Sequence, residues 1–581
     1  MLTTSGMRAR APFAWNMITQ NAQPKDFSRP VLPTYRQLPG SSCSPPSSSQ
    51  YYRRVVSKQQ RYITTSAQQS SVAAAAAVPA VPSHSESWPS IPAPHTLPYP
   101  GIYHQDRTEP EFWRRIPRWE NMTAAEFGSF SWSNKARVKN DNHRRKALHI
   151  IYDATNRDLN IIQNSVQYSS YSFTEKDGTK IFGFKGNLEQ HLREVLPAYV
   201  PPSIHTPTPT TREDFIQDVL EGAANASMSV RVTAYIWSLI DWNDPANDPL
   251  FKQFVPLRSF TVEDHPALRL DSLEEKKDSP VDGLVHRYPN KALFLVTDVC
   301  PLYCGHCTRA YTVSEATMAV AQKASTKPKL ERIKDALAYI EKTPELVDIV
   351  VSGGDMYMVA PALLEYICDR LTAMPSIKRF RIASKGLNAA PHRIFDRDDE
   401  WTGALLRAGD KARRAGKDMA LHTHYCHPNE ITWMSRKAAS RLHAAGLTVR
   451  NQAVLLRGVN DTVETQARLI EELVDMRIQP YYVYQCDMSQ GLERFRTPLQ
   501  TILDIQKRIR GSTAGFAIPQ FVVDLPGGGG KRLACDFEDY DRESGVSTWT
   551  APAVTGRDKA GKIFKYHDPV REPPPRSPVL D

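Results

Sequence analysis

The feature of this 581-residue chain that most constrains its fold is a regular alternation of strand-like and helix-like patterns between residues 286 and 535. Short apolar runs that end in polar or glycine-rich segments are typical of strands in a parallel sheet. The segments between them, such as Leu330–Lys342, repeat apolar residues three and four positions apart, which indicates helices. The alternation predicts an α/β fold with a parallel sheet, open or closed into a barrel, and ligands at the carboxyl ends of its strands. The predicted strands are Ala292–Thr297, Val347–Val351, Arg379–Ala383, Met419–His422, Thr448–Leu455, Pro480–Tyr484 and Phe521–Val523.

The remaining segments differ from this region in composition. Residues 1–66 are rich in Arg, Ser and Thr, and we predict a disordered N-terminus there; residues 67–105 form a Pro- and Ala-rich linker. Residues 106–285 are predicted to be a mostly helical N-terminal extension, and residues 536–581 a C-terminal extension. With 41% hydrophobic and 23% charged residues, the chain has the composition of a globular protein.

The positive charge of the chain lies mostly at its N-terminus. Residues 1–85 contain nine Lys or Arg and one acid, and so hold eight of the ten net positive charges. An acid-poor, Arg- and Ser-rich N-terminus is typical of a transit peptide, and Arg61 followed by Tyr-Ile-Thr-Thr-Ser resembles a mitochondrial processing site. We predict localisation in the mitochondrial matrix; the alternative is a cytoplasmic protein that keeps a disordered basic tail. The nearly neutral remainder argues against a nucleic-acid partner, and no apolar run approaches the roughly 18 residues of a membrane span.

Three cysteines, Cys300, Cys304 and Cys307, follow the first predicted strand with CxxxCxxC spacing. Three thiolates on one loop can hold three irons of a cubane iron–sulfur cluster, which leaves the fourth iron open to another ligand. A structural zinc site requires four closed ligands. It remains an alternative, although His306 has poor geometry for it because it is adjacent to Cys307. The other cysteines form no second cluster in the sequence.

This cysteine triplet resembles that of the radical S-adenosylmethionine enzymes, and further motifs resemble the lysine 2,3-aminomutase family within that class. The resemblance implies an α/β fold, a partial (β/α)6-type radical S-adenosylmethionine barrel. It also implies a pyridoxal 5′-phosphate (PLP) dependent isomerase that moves the α-amino group of L-lysine to carbon 3 through a 5′-deoxyadenosyl radical. It extends from about residue 227 to 531 and rests on the segments His286–Asn290, Tyr303–Arg309, Ser352–Asp355, His422–His424, His427–Thr432, Asn451–Gln452, Leu455–Asp461, Tyr484–Asp487, Phe495–Pro498 and Asp524–Lys531.

The resemblance implies a [4Fe-4S] cluster on the three cysteines, with S-adenosylmethionine bound at its open iron. Glycines let the backbone approach a ligand, and a carboxylate suits the ammonium of this cofactor. For two of the implied contacts, His424 and Gln452, the alternative is a hydrogen-bonded barrel residue. The implied S-adenosylmethionine-binding residues are Ser352, Gly353, Gly354, Asp355, His424 and Gln452.

Lys531 follows four glycines, and a lysine amine can form a Schiff base with a carbonyl. The resemblance makes it the lysine that carries PLP, held with Arg287, Tyr288 and Lys291. A guanidinium suits phosphate because it can donate two parallel hydrogen bonds. The ammonium of Lys291 carries the same charge but cannot donate in this paired way. The alternative for the glycines is a flexible loop or a phosphate cradle; it is not a P-loop, because no Ser or Thr follows the lysine.

The family also implies three substrate-binding residues. Arg309 matches the residue that binds the substrate α-carboxylate, and Asp487 and Asp524 match the two carboxylates that bind the ε-ammonium of lysine. Paired buried carboxylates are costly unless a cation joins them. Alone, each acid would more often belong to a turn or a helix cap.

The sequence departs from the family pattern at Ala310–Tyr311 and at Ser384–Asn388, and no Cys follows Cys535. Zinc, which bacterial members bind through C-terminal cysteines, is therefore not expected, and any homo-oligomer would lack the zinc link. The expected partners are a small amino-acid substrate and a reducing electron donor, with no nucleic acid or membrane. Two alternatives stay open: an enzyme of the same fold acting on another amino acid or a protein lysine, and a non-catalytic metal-cluster protein.

Overall fold

The computed structural model describes residues 111–124, 127, 188–204, 206–314, 316–323, 330–397, 399–554 and 559–570. The predictions for residues 1–105, which are the transit peptide, the disordered N-terminus and the linker, lie outside these described residues. In the described part of the chain, no helix combines the length and the apolar character that crossing a membrane requires.

A nine-stranded sheet forms the centre of the structure, and its strand order follows the chain order. The strands β4 to β10 pair in parallel, and an antiparallel strand lies at each edge, β3 and β11. The predicted α/β partial barrel is therefore confirmed, and all seven predicted strands are present. Along the chain the strands are β1 (Tyr199–Val200), β2 (Thr210–Thr211), β3 (Leu284–Tyr288), β4 (Lys291–Thr297), β5 (Asp348–Gly353), β6 (Arg379–Ala383), β7 (Asp418–Thr423), β8 (Thr448–Val454), β9 (Gln479–Tyr484), β10 (Gln520–Leu525), β11 (Gly530–Leu533), β12 (Asp539–Asp541), β13 (Val546–Thr550) and β14 (Ile563–His567).

Helices connect the parallel strands, and polar side chains cap several of them. The Asp399 carboxylate accepts a hydrogen bond from the backbone N–H of Thr402, and Thr462 accepts one from Thr465, which satisfies donors that a helix start leaves open. The helices are α1 (Leu188–Val195), α2 (Arg212–Ala224), α3 (Ala234–Leu239), α4 (Pro249–Phe254), α5 (Leu330–Lys342), α6 (Pro361–Ala373), α7 (Gly386–Ala389), α8 (Pro391–Phe395), α9 (Glu400–Arg414), α10 (Trp433–Ala444), α11 (Val463–Asp475) and α12 (Leu499–Ile509).

The apolar faces of these helices pack on the sheet. Ile333 and Leu337 of α5, for example, are fully buried in one core with Phe294 of β4 and Ile349 of β5. Burial of this kind is the main stabilising contribution to such a fold. It also fixes the strands whose carboxyl ends carry the predicted site.

A second core lies in the N-terminal layer, by which we mean residues 111–260 as far as they are described. It is rich in aromatic residues: the rings of Trp113 and Phe127 stack with centroids 4.9 Å apart, and Tyr235 of α3 packs edge-on against Phe112. Leu302, which lies beyond β4, is buried in this same core. The N-terminal layer and the barrel are therefore packed together where the predicted cysteine site begins.

Candidate active site

Most of the predicted site residues lie at the carboxyl-terminal end of the parallel strands, where α/β barrels bind their ligands, whereas Tyr288 of antiparallel β3 pairs with Lys291 at the amino end of β4. The cysteines follow β4, and Ser352 and Gly353 end β5. His424 follows β7, Gln452 lies in β8 and Asp487 follows β9. Four further residues come from the edge strands and β10: Arg287 and Tyr288 end β3, Asp524 lies in β10 and Lys531 lies in β11.

The three cysteines lie on the cysteine loop, residues 298–309, as partly buried free thiols. The N-terminal layer holds this loop: the Tyr303 N–H donates to the Arg231 carbonyl and the Gly305 N–H to the Gln253 carbonyl, both at 2.7 Å. Burial raises the pKa of all three thiols, and a turn in which the Cys307 N–H donates to the Cys304 carbonyl at 3.1 Å closes the loop between two of them. This arrangement fits a cubane cluster, in which each thiolate binds its own iron.

Gly353 and Gly354 make room for the start of the cysteine loop. Gly353 has φ +129°, and a Cβ there would lie 2.2 Å from the Thr297 carbonyl oxygen; a Cβ on Gly354 would lie 2.6 Å from that of Val299. Any side chain would therefore collide with backbone. The Asp355 carboxylate accepts hydrogen bonds from the backbone N–H groups of Tyr357 and Lys385, at 2.8 and 2.9 Å. The segment Ser352–Asp355 therefore also supports the cysteine loop, a role that its sequence does not indicate.

His306 lies beside His424 and Cys426, and the ligand atoms of the three residues are all within 4.8 Å of one another. The thiol of Cys426 is 3.2 Å from Nε2 of His424. Burial and the nearby Lys385 lower the pKa of His306 to about 3, so its ring is neutral. Both ring nitrogens of His306 are buried without a hydrogen-bond partner in the described part of the chain. The expectation that cysteines outside the triplet form no cluster thus missed this group, because its members are distant in sequence.

Lys385 lies in the segment where the chain departs from the family pattern. Its Nζ donates to the His424 carbonyl at 2.6 Å and lies 3.3 Å from Glu430, while its backbone N–H donates to Asp355. It therefore links two of the residues predicted to bind S-adenosylmethionine.

Lys531 lies where the two edge strands of the sheet approach each other. Its backbone N–H donates to the hydroxyl of Tyr288 on β3 at 3.0 Å, and its Nζ donates to Asp524 Oδ2 on β10 at 2.5 Å. Burial disfavours the charged amine, but Asp524 outweighs it and, with Tyr288, holds the pKa of Lys531 well above its usual value. The structure thus brings together residues that are 243 positions apart in sequence.

Asp524, which is buried, and Asp487, which is partly buried, are two acids whose charges interact with each other and with this lysine. Burial, and then the charge of Asp524, raise the pKa of Asp487. The Oδ1 atom of each carboxyl is buried and has no hydrogen-bond partner among the described residues. Unpaired buried carboxylate oxygens are costly, and a cationic group would satisfy them.

Arg309 is oriented by a carboxylate that the sequence analysis did not single out. Its Nε and Nη2 donate to Glu275 at 3.1 and 2.9 Å, and the Tyr311 hydroxyl donates to the same carboxylate at 2.6 Å. Burial alone would raise the pKa of Glu275, but Arg309 and Tyr311 lower it to about 2. Two of the five guanidinium N–H donors are used in this pair, and the others can bind a further carboxylate.

The remaining predicted PLP residues lie beside Tyr288. Arg287 donates from Nε to Asp278 Oδ2 at 2.7 Å, and the Lys291 ammonium lies 4.2 Å above the Tyr288 ring. Burial and the charge of Lys531 lower the pKa of Lys291. Asp278, like Glu275, lies in a run of mixed charges whose sequence contains no signal for a site.

Comparison with known proteins identifies relatives that are named as 2,3-aminomutases. A family model described as Lysine-2,3-aminomutase matches residues 506–537. The L-lysine 2,3-aminomutase of Clostridium subterminale is 42% identical over 356 residues, which cover 61% of this chain and 79% of that protein. That of Fusobacterium nucleatum is 41% identical, covering 55% and 70%. The glutamate 2,3-aminomutase of Clostridioides difficile is 33% identical, covering 52% and 66%.

A partial barrel of parallel strands with a cysteine triplet after its first parallel strand defines the chain as an enzyme of the radical S-adenosylmethionine class. Its relatives narrow this class to one family. Several of them are more than a third identical to the chain over most of their own length. The chain belongs to the lysine 2,3-aminomutase family, and it is an isomerase of the aminomutase type. The family predicted from the motifs is confirmed, but the relatives are named for two substrates, lysine and glutamate.

Proposed function

We propose that the protein is an L-lysine 2,3-aminomutase, which moves the α-amino group of L-lysine to carbon 3. The observation that carries this proposal is the acid pair Asp487 and Asp524, each with a buried carboxyl oxygen that lacks a partner among the described residues. The ε-ammonium of lysine supplies the cation that such a pair needs. The side-chain carboxylate of glutamate would instead add a third acid, which favours lysine as the substrate.

The proposed cofactors are a [4Fe-4S] cluster on Cys300, Cys304 and Cys307, S-adenosylmethionine and PLP. When bound, the cluster and S-adenosylmethionine supply the 5′-deoxyadenosyl radical that abstracts hydrogen from carbon 3, and PLP supplies the carbonyl that holds the migrating nitrogen. Lys531 would hold PLP together with the residues at the end of β3. The residues Ser352, Gly353, Gly354, Asp355, His424 and Gln452 would hold S-adenosylmethionine.

The residues of the chain hold the substrate at its two ends. Arg309 binds the α-carboxylate, and its ion pair with Glu275 fixes the plane of the guanidinium. Asp487 and Asp524 bind the ε-ammonium at the other end. A substrate fixed at both ends presents carbon 3 in one orientation, which is the main contribution that positioning makes to such a reaction.

Asp524 also controls the charge of Lys531. It accepts a hydrogen bond from the lysine ammonium, whose pKa it helps to raise. If the amine of Lys531 held the cofactor, Asp524 would lack this cation, and the ε-ammonium of lysine would pair with the same carboxylate.

The test is a competition between substrates. Protein with its cluster reconstituted anaerobically is incubated with S-adenosylmethionine, a reductant, PLP and equal amounts of lysine and glutamate, and α and β isomers are separated by mass spectrometry. We expect β-lysine and unchanged glutamate. Rearrangement of glutamate or another amino acid, with lysine unchanged, would replace the proposed substrate.

A substitution adds a direct readout of the acid pair. Asp487→Asn should raise the KM for lysine roughly tenfold or more, because a bound ammonium favours the ionised form of Asp487 and a charged hydrogen-bond partner contributes about 1.5–3 kcal/mol. Asp536→Asn is the matched control, since Asp536 is exposed and pairs with Arg532. Equal KM values for the two variants would contradict the role of Asp487.

A second candidate function is a non-catalytic metal-binding protein. It is favoured by the neutral His306, His424 and Cys426 group, whose atoms could converge on one ion. Visible absorption after anaerobic reconstitution separates the two candidates, because an iron–sulfur cluster absorbs visible light and zinc does not. A colourless protein that binds zinc and does not convert lysine would favour this second function.

We propose that residues 1–66 are a mitochondrial targeting segment and that the protein is therefore localised in the matrix. Fusing residues 1–85 to a fluorescent protein tests this, with all nine basic residues changed to Gln as the control. Import of the fusion and loss of import in the control would support the proposal; a cytoplasmic fusion would contradict it. The proposed partners are a small amino-acid substrate and an electron donor, without nucleic acid, membrane or a zinc-linked oligomer.

A further inference from the structure

The connection between β13 and β14 brings a lysine to the glycine turn, residues 526–530, that leads into Lys531. Lys559 Nζ donates to Asp278 Oδ1 at 2.6 Å, and its side chain is only 12% exposed. Gly528 has φ +77°, and a Cβ there would lie 2.6 Å from Lys559 Nζ. A side chain at Gly528 would displace this ammonium, so the glycine lets Lys559 lie directly against the turn.

Lys559 brings a second cation to the carboxylate that holds Arg287. The second oxygen of Asp278 accepts a hydrogen bond from Arg287 Nε at 2.7 Å, and the side chains of Asp278 and Arg287 are 9% and 7% exposed. The carboxylates of Asp524 and Glu275 also act on the charge of Arg287. Asp278 itself therefore holds two cations, a positive group that an anionic ligand can join.

This positive group lies next to the lysine that is proposed to carry PLP. Arg287 is followed by Tyr288, whose hydroxyl accepts the hydrogen bond from Lys531 N–H. Gly530, the residue before Lys531, is also close to that hydroxyl, since a Cβ there would lie 3.3 Å from it. The carboxylate of Asp524, which pairs with Lys531 Nζ, also acts on the charge of Arg287, so a cofactor attached to Lys531 would lie near Arg287 and near the turn that Lys559 contacts.

Lys291, the second cation expected from the sequence, is engaged differently. Its ammonium lies over the Tyr288 ring, and burial disfavours its charge. Lys559, in contrast, forms an ion pair with the Asp278 carboxylate at 2.6 Å. The sequence motif predicts the second cation at Lys291 of β4. In the structure, Lys559 of the C-terminal region is the cation that lies beside Arg287.

We infer that Lys559 binds the phosphate group of PLP together with Arg287. This inference rests on the proposed PLP dependence of the function. Lys559 and Arg287 share Asp278, which holds both cations on one side of the glycine turn. Two charged donors held in this way can bind a phosphate through charge-assisted hydrogen bonds.

The test compares two forms of one cofactor, with and without its phosphate. Binding of PLP and of pyridoxal is titrated by absorbance, and attachment to Lys531 is verified by borohydride trapping and mass spectrometry. Lys559→Met should weaken PLP binding roughly tenfold or more and leave pyridoxal binding unchanged. Lys559→Gln, which keeps a donor to Asp278 without the charge, serves if the first variant does not fold. Lys562→Met is the control, because Lys562 is exposed in the same connection.

The outcomes separate this inference from the proposed function. Equal weakening of PLP and pyridoxal would mean that Lys559 only supports the turn, and unchanged binding of both would mean that it contributes nothing; either result overturns the inference. If the unaltered protein attaches neither compound to Lys531, the proposed cofactor itself is wrong. A loss specific to PLP in the lysine variants supports the inference.

Discussion

Lys531 and Asp524 face each other across the antiparallel pair of β10 and β11, and their ion pair controls when the amine can react. Asp524→Asn removes the charge that raises the pKa of Lys531, while burial, which lowers it, remains. Capture of PLP requires the neutral amine. The pH at which half of Lys531 captures PLP in a fixed time should therefore move down by about one unit or more. Borohydride trapping over a pH series, followed by intact-mass measurement, gives this midpoint.

Asp487→Asn is the control for that shift. The pKa of Asp487 is raised, so its carboxyl carries less charge to act on Lys531. We expect its midpoint to stay close to that of the unaltered protein. An unchanged or higher midpoint in Asp524→Asn would show that the ion pair does not set the protonation of Lys531.

Residues were predictable where neighbours in sequence define the chemistry. The cysteine triplet and the glycines before Lys531 are local patterns, and the structure places both at the strand ends. Glu275 was missed because it lies 34 residues before its partner Arg309, in a run of alternating charges. Lys559 was missed for the same reason, since it reaches Asp278 across 281 residues. Such pairs depend on the fold and leave no periodic trace.

The glycine turn between β10 and β11 permits a direct test at the scale of one element. Gly528→Ala puts a Cβ at positive φ, close to Lys559 and 3.2 Å from the Leu273 carbonyl oxygen. A left-handed conformation costs a non-glycine residue about 1–2 kcal/mol. We expect that loss of stability in chemical denaturation, together with weaker PLP binding because Lys559 is displaced.

Gly511→Ala separates strain from contact. Gly511 has a similar φ of +87°, and no heavy atom lies within 4 Å of a Cβ built there. This variant should lose a similar amount of stability and keep its affinity for PLP. If both variants bind PLP equally well, the close packing at Gly528 has no part in cofactor binding.

Elements were predictable where burial imposes a pattern on the sequence. The seven parallel strands are apolar runs, and helix α5 has the predicted bounds, because its buried residues repeat at helical spacing. The edge strands β3 and β11 were not predicted. Strand β11 is Gly-Lys-Arg-Leu, which shows no alternation, and its position is fixed by pairing with β10 and by the Tyr288 contact.

At the scale of the whole molecule, the N-terminal layer completes the active site. Its backbone carbonyls, at Arg231 and Gln253, hold the cysteine loop. Gln253 also donates to Glu430, which lies 3.3 Å from Lys385. The layer and the barrel should therefore unfold as one cooperative unit, and disturbing their contact should loosen the cluster site.

Tyr235→Phe tests this coupling. The Tyr235 hydroxyl lies in hydrogen-bond contact with Thr432 and Ser435, each at 2.9 Å, and with the Glu430 carbonyl at 3.2 Å. Removing it should lower the free energy of unfolding by about 1–3 kcal/mol, because buried groups lose a partner. Urea unfolding followed by tryptophan fluorescence and by cluster absorbance should show both transitions moving together to lower urea.

The control for this substitution is Tyr199→Phe, since Tyr199 is 67% exposed and a change there should leave both transitions in place. The two probes differ in what they report: tryptophan fluorescence reports both cores, since Trp113 is buried in the N-terminal layer and Trp401 in the barrel, whereas cluster absorbance would report the cysteine loop. If the fluorescence transition moves and the absorbance transition stays, the layer unfolds separately from the barrel. The hydrogen bonds to the cysteine loop would then contribute nothing to holding the cluster, and the site would depend on the barrel alone.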